Sequence, residues 1–293
     1  MPPSVSILVT VYNRAAFVGE TVKSILQSSY QDFEVILVDD ASSDDSWEVI
    51  QLLAEADTRI SAHRNESNLG DYPNRGKAIS LSKGEFIKFV DADDMIYPHG
   101  LEVMVRALEA NQEAALALSH SAIEDDSPYP ILLDPKEAYR KHFLGQGCLN
   151  CGPSGAIFRR EAFNEIGGFR DWGVLNDSDL WLRFASQWPV VLLPPALVWW
   201  RRHDGQEFAK GWATGAYLEK GFELQIETLA APDCPLSKEE RRLAISRVQQ
   251  HHARRLIALA TKGRKPGAAI RLLRKSGLNV SEILRGFRPY DQG

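Results

Sequence analysis

GEFIKFVDADD, residues 84–94, is the stretch from which the fold of this 293-residue chain is read. Phe86 to Val90 has the composition of a short buried strand, and it runs directly into Asp91, Asp93 and Asp94. The acids therefore fall where the chain leaves a sheet, at the carboxyl end of a strand, which is where open α/β sheets bind ligands. Carboxylates crowded at one strand tip repel one another by about 1 kcal/mol per pair at about 4 Å in water, and by more in a cleft. A hard divalent cation such as Mg²⁺ or Mn²⁺, itself holding phosphate oxygens, would relieve them. Taken alone, the stretch also fits a solvated Asp-rich turn.

Upstream of it, apolar runs alternate with helical stripes. Ser4–Val11 reads as a buried strand closing on Thr10, Tyr12 and Asn13, and Ala15–Ser28 as a helix. Phe33–Val38 is a second strand closing on Asp39-Asp40. Ser43 is placed to cap a helix over Trp47–Ala56, and Thr58–His63 is a third strand. A loop opens at Asn68-Leu69-Gly70, followed by a helical Arg75–Lys83. The order β-α-β-α-β-α-β with short connections predicts a mostly parallel sheet built from right-handed crossovers.

Downstream, a helix over Gly100–Gln112 leads to a strand at Ala115–Ser121 and then to Glu124–Gln146, a polar segment with three prolines that reads as a surface excursion. A strand at Ala156–Phe158, a helix from Arg160 to Gly167-Gly168, a helix over Leu175–Gln187 and a strand over Val190–Trp200 follow. From Gln206 the pattern is helical, with Ile245, Val248, His252, Leu256 and Leu259 forming a stripe.

Composition is that of a soluble globular protein, with 44% hydrophobic and 25% charged residues. Cys148, Cys151 and Cys234 make no disulfide framework, and the CxxC at 148–151 has no second pair beside it. No segment reaches the length of an apolar membrane span, and MPPSVSILVTVYNR lacks the basic start of a signal peptide, so the expected location is cytoplasmic. The net charge of −5 is uneven: Arg241–Gly293 holds 13 Lys or Arg against 2 Asp or Glu, a local +11 that leaves −16 on the rest. That basic end suggests contact with an anionic surface, placing the protein peripherally at the inner face of a membrane, or with a phosphorylated acceptor.

The strand-end acids can share one crevice. There Asp40 can accept from a base or ribose, Tyr12 can stack on a base, and Arg75 can fork onto a phosphate. Asn176-Asp177-Ser178-Asp179 opens a helix in the second half, where acids also serve as plain caps.

These stretches carry a family resemblance. SILVTVYNR (6–14), FEVILVDDASSDDS (33–46), NLGDYPNRG (68–76), GEFIKFVDADD (84–94), FNEIGGF (163–169), NDSDLWLRF (176–184) and RRH (201–203) together resemble the family 2 glycosyltransferases of GT-A fold. These are nucleotide-sugar-dependent inverting enzymes, and the matching stretches stand in their order over about residues 4–205. The resemblance implies a Rossmann-like α/β sheet with a donor-binding half at 1–97, an acceptor-binding half at 98–205 and a basic helical extension at 206–293. It implies that Thr10, Tyr12, Asp40, Asn68, Gly70, Arg75 and Asp91 hold a nucleotide-sugar donor, a UDP-sugar by the Tyr12 and Asp40 pattern. It makes Asp93, with His203, the ligand of a divalent metal, Mn²⁺ or Mg²⁺, and Asp177 the catalytic base toward a carbohydrate or lipid-linked acceptor. The apolar stripe of the C-terminal end, outside the resemblance, is expected to pack on the catalytic domain or on a second subunit of a homodimer.

Two departures stand out: Asn176 replaces the Glu of the family's Glu-Asp pair, leaving Asp179 as a rival base, and Gly76 replaces an Asn after the loop Arg. A nucleotidyltransferase would share the acids and the nucleotide, but it would carry a Gly-rich basic loop after strand one, where this chain has Tyr12-Asn13-Arg14-Ala15. A nucleotide-sugar binder without turnover is the non-enzymatic alternative, with Asn176 as its one hint.

Overall fold

The computed structural model describes residues 2–119, 127–203 and 215–287. The apolar runs of the first third are strands β1 (Val5–Val11), β2 (Phe33–Asp39) and β3 (Ile60–Arg64). Helices α1 (Ala15–Leu26), α2 (Ser46–Ala56) and α3 (Asp71–Leu81) connect them onward to β4 (Phe86–Phe89). Consecutive residues of β1 and β2, such as Ile7, Leu8 and Val9, are all buried, as parallel strands covered on both faces must be. β1 lies between β2 and β4, with Thr10 opposite Val38 and Leu8 opposite Phe89. Gly84 makes the last pairing possible, because a Cβ there would stand 2.5 Å from the backbone nitrogen of Ser6.

The chain continues through β5 (Met95–Ile96), α4 (Gly100–Ala110), β6 (Leu116–Ser119), β7 (Ile131–Leu133), α5 (Pro135–Tyr139), β8 (Ala156–Arg159) and α6 (Arg160–Glu165). Then come α7 (Asn176–Gln187), β9 (Val190–Leu193) and β10 (Val198–Trp199). The main sheet has the order β3-β2-β1-β4-β8-β6-β9-β7. β8 enters antiparallel between β4 and β6, and β7 pairs antiparallel with β9, so a mostly parallel sheet acquires a mixed half. The run Val190–Trp200 is two strands rather than one, since the prolines at 194 and 195 cannot donate to a ladder; β10 pairs instead with β5.

Two further expectations change. The helix after β2 starts at Ser46 with Asp45 as the flanking residue and no side-chain cap. Ser43 turns instead to Asn13, whose Oδ1 accepts from the Ser43 N–H at 2.9 Å. The excursion Glu124–Gln146 is not featureless. Residues 124–126 lie outside the described residues, but the rest carries β7, α5 and a π-helical turn at Arg140–Leu144, with Tyr139 and Phe143 buried. Pieces this short show no periodicity. The final residues of the strand read at Ala115–Ser121, and residues 206–214 of the helical end, also lie outside the described residues.

Backbone contacts divide the chain into two compact units: Met1–Pro135 with Cys148–Asp171 and Asn176–Arg202, and Lys136–Gly147 with Trp172–Leu175 and His203–Gly293. The second unit holds helices α8 (Ala216–Ala230), α9 (Lys238–Thr261), α10 (Pro266–Ser276) and α11 (Val280–Arg285). Its core forms around Leu218, Leu256 and Leu272. Val248, His252 and Leu256 of the sequence stripe are buried, and Leu259 packs on that core. All three cysteines are free thiols. Among the described residues no helix is long and apolar enough to cross a membrane.

Candidate active site

The carboxyl ends of β1, β2 and β4 bring Thr10, Tyr12, Asp40 and Asp91–Asp94 to one rim. Tyr12 is exposed and Asp40 is buried. The Asp40 carboxylate accepts from the N–H groups of Leu69 at 2.8 Å and Gly70 at 2.9 Å, and from the Asn65 side-chain amide at 2.6 Å. Asn68 returns a bond to the Asp40 carbonyl at 3.3 Å. Asp40 thus holds the Asn68–Gly70 loop with its own oxygens, and Gly70, at φ 88°, supplies the left-handed backbone that turns this loop into α3. α3 begins at Asp71, ahead of the expected Arg75, because Pro73 lies within its first turn, where no N–H is required.

From α3, the buried Arg75 bridges two carboxylates. Its Nε donates to Asp71 at 2.8 Å and its Nη2 to Asp91 at 2.8 Å. The guanidinium lies over the rings of Tyr72 and Phe89. Burial opposes its charge, but Asp71 and Asp91 outweigh burial and hold its pKa well above the ordinary value. Nη1 is buried and has no hydrogen-bond partner among the described residues.

The repulsion at the β4 tip is met largely by cations of the chain itself. Asp91 has Arg75, and Asp93 pairs with the Nε of Arg14 at 2.9 Å. Asp94 accepts the Arg201 N–H at 3.2 Å, and burial followed by the charge of Asp91 pushes its carboxyl well up. The buried Lys88 of β4 donates to the carbonyls of Ser154 and Ala156, with burial drawing its pKa down to about 8. Among the described residues no three His, Cys, Asp or Glu side chains gather as a metal cage. A hard cation carried by a diphosphate needs only one or two carboxylates, however, because the phosphates supply the rest. The oxygen-only donors Asp91 and Asp93 fit that shared arrangement. His203 is half-buried and falls in the second compact unit.

Asp177 and Asp179, adjacent on the first turn of α7, have different surroundings. Asp177 is half-buried, its Oδ1 accepts the Ser178 N–H at 2.7 Å, and its own N–H donates to the Tyr72 hydroxyl at 3.1 Å. Burial raises its carboxyl to about 6, against the opposing pull of the Ser178 N–H and Arg75. Asp179 is 1% exposed and lies between the Nε of Arg170 at 3.1 Å and that of Arg183 at 3.0 Å. Arg183 also holds the carbonyls of Ile166 and Gly168. Asp179 therefore staples the 166–170 turn, a structural duty that the Asp177 carboxylate does not share.

Comparison with known proteins decides the family: the model described as Glycosyl transferase family 2 matches residues 6–167, more than half of the chain. The chain belongs to glycosyl transferase family 2. Among curated relatives, the glycosyltransferase GlyG of Streptococcus pneumoniae serotype 4 is 26% identical over 234 residues, 73% of this chain and 77% of GlyG. The uncharacterized Mycobacterium tuberculosis protein MT1568 is 27% identical over 219 residues, and the match spans 67% of this chain and 66% of that protein. Among solved structures, Staphylococcus aureus TarS 1-349 in complex with UDP-GlcNAc gives a TM-score of 0.70 at 17% identity, with 93% of this chain and 80% of that chain covered. The mannosyltransferase PcManGT from Pyrobaculum calidifontis, in complex with GDP-Man and Mn²⁺, gives 0.58 at 20% identity, with 99% and 82% covered. At these identities the structures speak for the fold, which is GT-A.

In this family 2 glycosyltransferase, sequence reasoning had not singled out Tyr72 or Arg14. Tyr72 stands inside the quoted loop NLGDYPNRG, with Phe169 edge-on at 5.1 Å. Arg14 ends the first quoted stretch, SILVTVYNR. Both lie inside stretches already marked. Neither announces its partner, because Asp177 and Asp93 are 105 and 79 residues away along the chain.

Proposed function

We propose that this glycosyltransferase moves a sugar from a nucleotide diphosphate donor, a UDP-sugar, to the hydroxyl of a carbohydrate or lipid-linked acceptor, with inversion at the anomeric carbon. The observation that carries this reading is the continuous chain Asp91–Arg75–Tyr72–Asp177, which runs from the β4 tip to the first turn of α7. In this reading residues 1–97 hold the donor and residues 98–205 the acceptor, while residues 206–293 form the basic extension. Thr10, Tyr12 and Asp40 hold the nucleoside, Asp40 doing so while fixing the Asn68–Gly70 loop. Arg75 presents its unpartnered Nη1 to the donor diphosphate, where a guanidinium adds fixed positive charge as the leaving group departs. Asp91 and Asp93 would hold Mn²⁺ or Mg²⁺, and the metal would neutralise charge on the leaving diphosphate.

Asp177 acts as general base. Its pKa of about 6 leaves it ionised at neutral pH yet more basic than a solvated carboxylate. The acceptor oxygen gives up its proton to Asp177 and bonds to the anomeric carbon from one face, while the bond to the diphosphate oxygen breaks on the other. The complexes of TarS with UDP-GlcNAc and of PcManGT with GDP-Man and Mn²⁺ support a nucleotide-sugar donor and a metal.

A thermal-shift screen of UDP, GDP, dTDP and CDP, each with Mn²⁺, tests the donor. UDP giving the largest shift, lost in Asp93→Ala, is the expected result. No shift with any nucleotide, or the same shift in Asp93→Ala, would overturn the donor or the metal assignment respectively.

A further inference from the structure

From Lys262 to Ser281 the sequence carries six cations and no acid. Lys275 is paired with Glu219 at 2.6 Å. Lys262, Arg264, Lys265, Arg271 and Arg274 are all exposed and have no carboxylate partner among the described residues. Directly after them in the sequence the chain turns large apolar side chains outward. Val280, Leu284 and Phe287 recur at positions i, i+4 and i+7 through α11 and the turn after it, with 72%, 56% and 69% exposure, and Ile270 on α10 is 52% exposed.

The stripe is held in place rather than frayed. A capping box between Asn279 and Glu282 fixes the start of α11. Gln249 of α9 donates to Glu282 at 3.0 Å, and the Arg254 Nε donates to the Gly286 carbonyl at 3.0 Å. Ile283, between Val280 and Leu284, is half-buried, so the helix has an inner face, and the exposed stripe is its other one.

Scattered exposed apolar residues need no explanation, but a periodic stripe beside unpaired cations does. A second copy of the chain on this face would bring two sets of these cations together, because a two-fold interface repeats the same patch. Anionic headgroups over an apolar interior complement both features at once.

We propose that the α10–α11 surface docks on an anionic phospholipid bilayer. Val280, Leu284 and Phe287 enter the headgroup–acyl boundary, and the five unpaired cations rest on lipid phosphates. The enzyme then works at a membrane face without crossing it. This assignment stands apart from the donor and base assignments, since it shares no residue with them.

Flotation of the full chain with phosphatidylcholine vesicles, with and without phosphatidylglycerol, tests it. Binding only to the phosphatidylglycerol vesicles, released by high salt, is expected. The charge reversal Arg271→Glu with Arg274→Glu should weaken binding by roughly thirtyfold or more at low salt. Val280→Ser with Leu284→Ser and Phe287→Ser should weaken it further, with the melting temperature and donor turnover unchanged in both variants. Equal binding to neutral vesicles, indifference to the charge reversal, or no flotation at all would overturn the proposal. So would a concentration-dependent dimer in sedimentation that the serine variant abolishes, which would make the stripe a self-association face. Should the serine variant fold poorly, the charge reversal on exposed arginines decides alone.

Discussion

The phenolic oxygen of Tyr72 accepts the backbone N–H of Asp177 at 3.1 Å. Through it, the helix that follows the Asn68–Gly70 loop is tied to the turn carrying the proposed base. The same ring lies under the Arg75 guanidinium, so one aromatic side chain touches both that cation and the backbone of Asp177.

Tyr72→Phe keeps the ring and removes only that acceptor. The orphaned N–H should cost about 1–3 kcal/mol of stability, read as a lower melting temperature. Turnover should fall about tenfold while nucleotide affinity holds, because a displaced base loses reactive geometry and not donor contacts. Turnover at the wild-type level would show that α7 alone positions the base.

Asp177→Asn and Asp179→Asn should separate chemistry from structure. The first keeps the acceptor for the Ser178 N–H and should cost turnover about 10²–10⁴-fold with little change in nucleotide affinity. The second leaves Arg170 and Arg183 without their shared anion and should destabilise by about 3 kcal/mol. Kinetics paired with thermal denaturation would read both; the reverse pattern would move the base to Asp179.

The acid limb of the turnover–pH profile should have an apparent pKa of about 6, the value to which burial raises Asp177. Stability runs the other way. The folded state holds this proton more tightly than the unfolded chain, so the group contributes stability below about pH 4 and loses it as pH rises through about 6. Asp177→Asn should therefore be more stable than wild type at neutral pH, an advantage that vanishes near pH 4. Denaturant melts in which the difference between the two proteins stays constant across that range would show the carboxyl to be unperturbed.

Arg14→Gln removes the guanidinium paired with Asp93. If Asp93 is the metal ligand, Mn²⁺ affinity measured by calorimetry with UDP present should rise several-fold, since no internal cation competes for the carboxylate. Unchanged affinity would assign the metal elsewhere.

The first half of the main sheet was legible in the sequence because its strands are doubly buried apolar runs that stop on acids, as Phe33–Asp39 and Phe86–Asp94 both do. The acids' partners were less so. The repulsion among Asp91, Asp93 and Asp94 pointed outward to a metal, whereas Lys88 within the stretch and Arg14, Arg75 and Arg201 from remote positions already answer part of it. Asp177 and Asp179 look alike in sequence. Only the side chains packed around them, two arginines on one and a tyrosine beside the other, tell them apart. Tyr139 and Phe143 escaped notice because a turn or so of helix shows no repeat, although both are buried.

Gly84 lies at the end of β4 opposite Asp91, with Ser6 against it. Any side chain there would push β4 away from β1 or slide it along, and each residue of slip would carry the acids past Thr10 by about 3.3 Å. The height of the catalytic rim is thus gauged at the floor of the sheet. A substitution at Gly84 would disable the enzyme while leaving every reactive group intact, and a survey confined to the cleft would never find the cause.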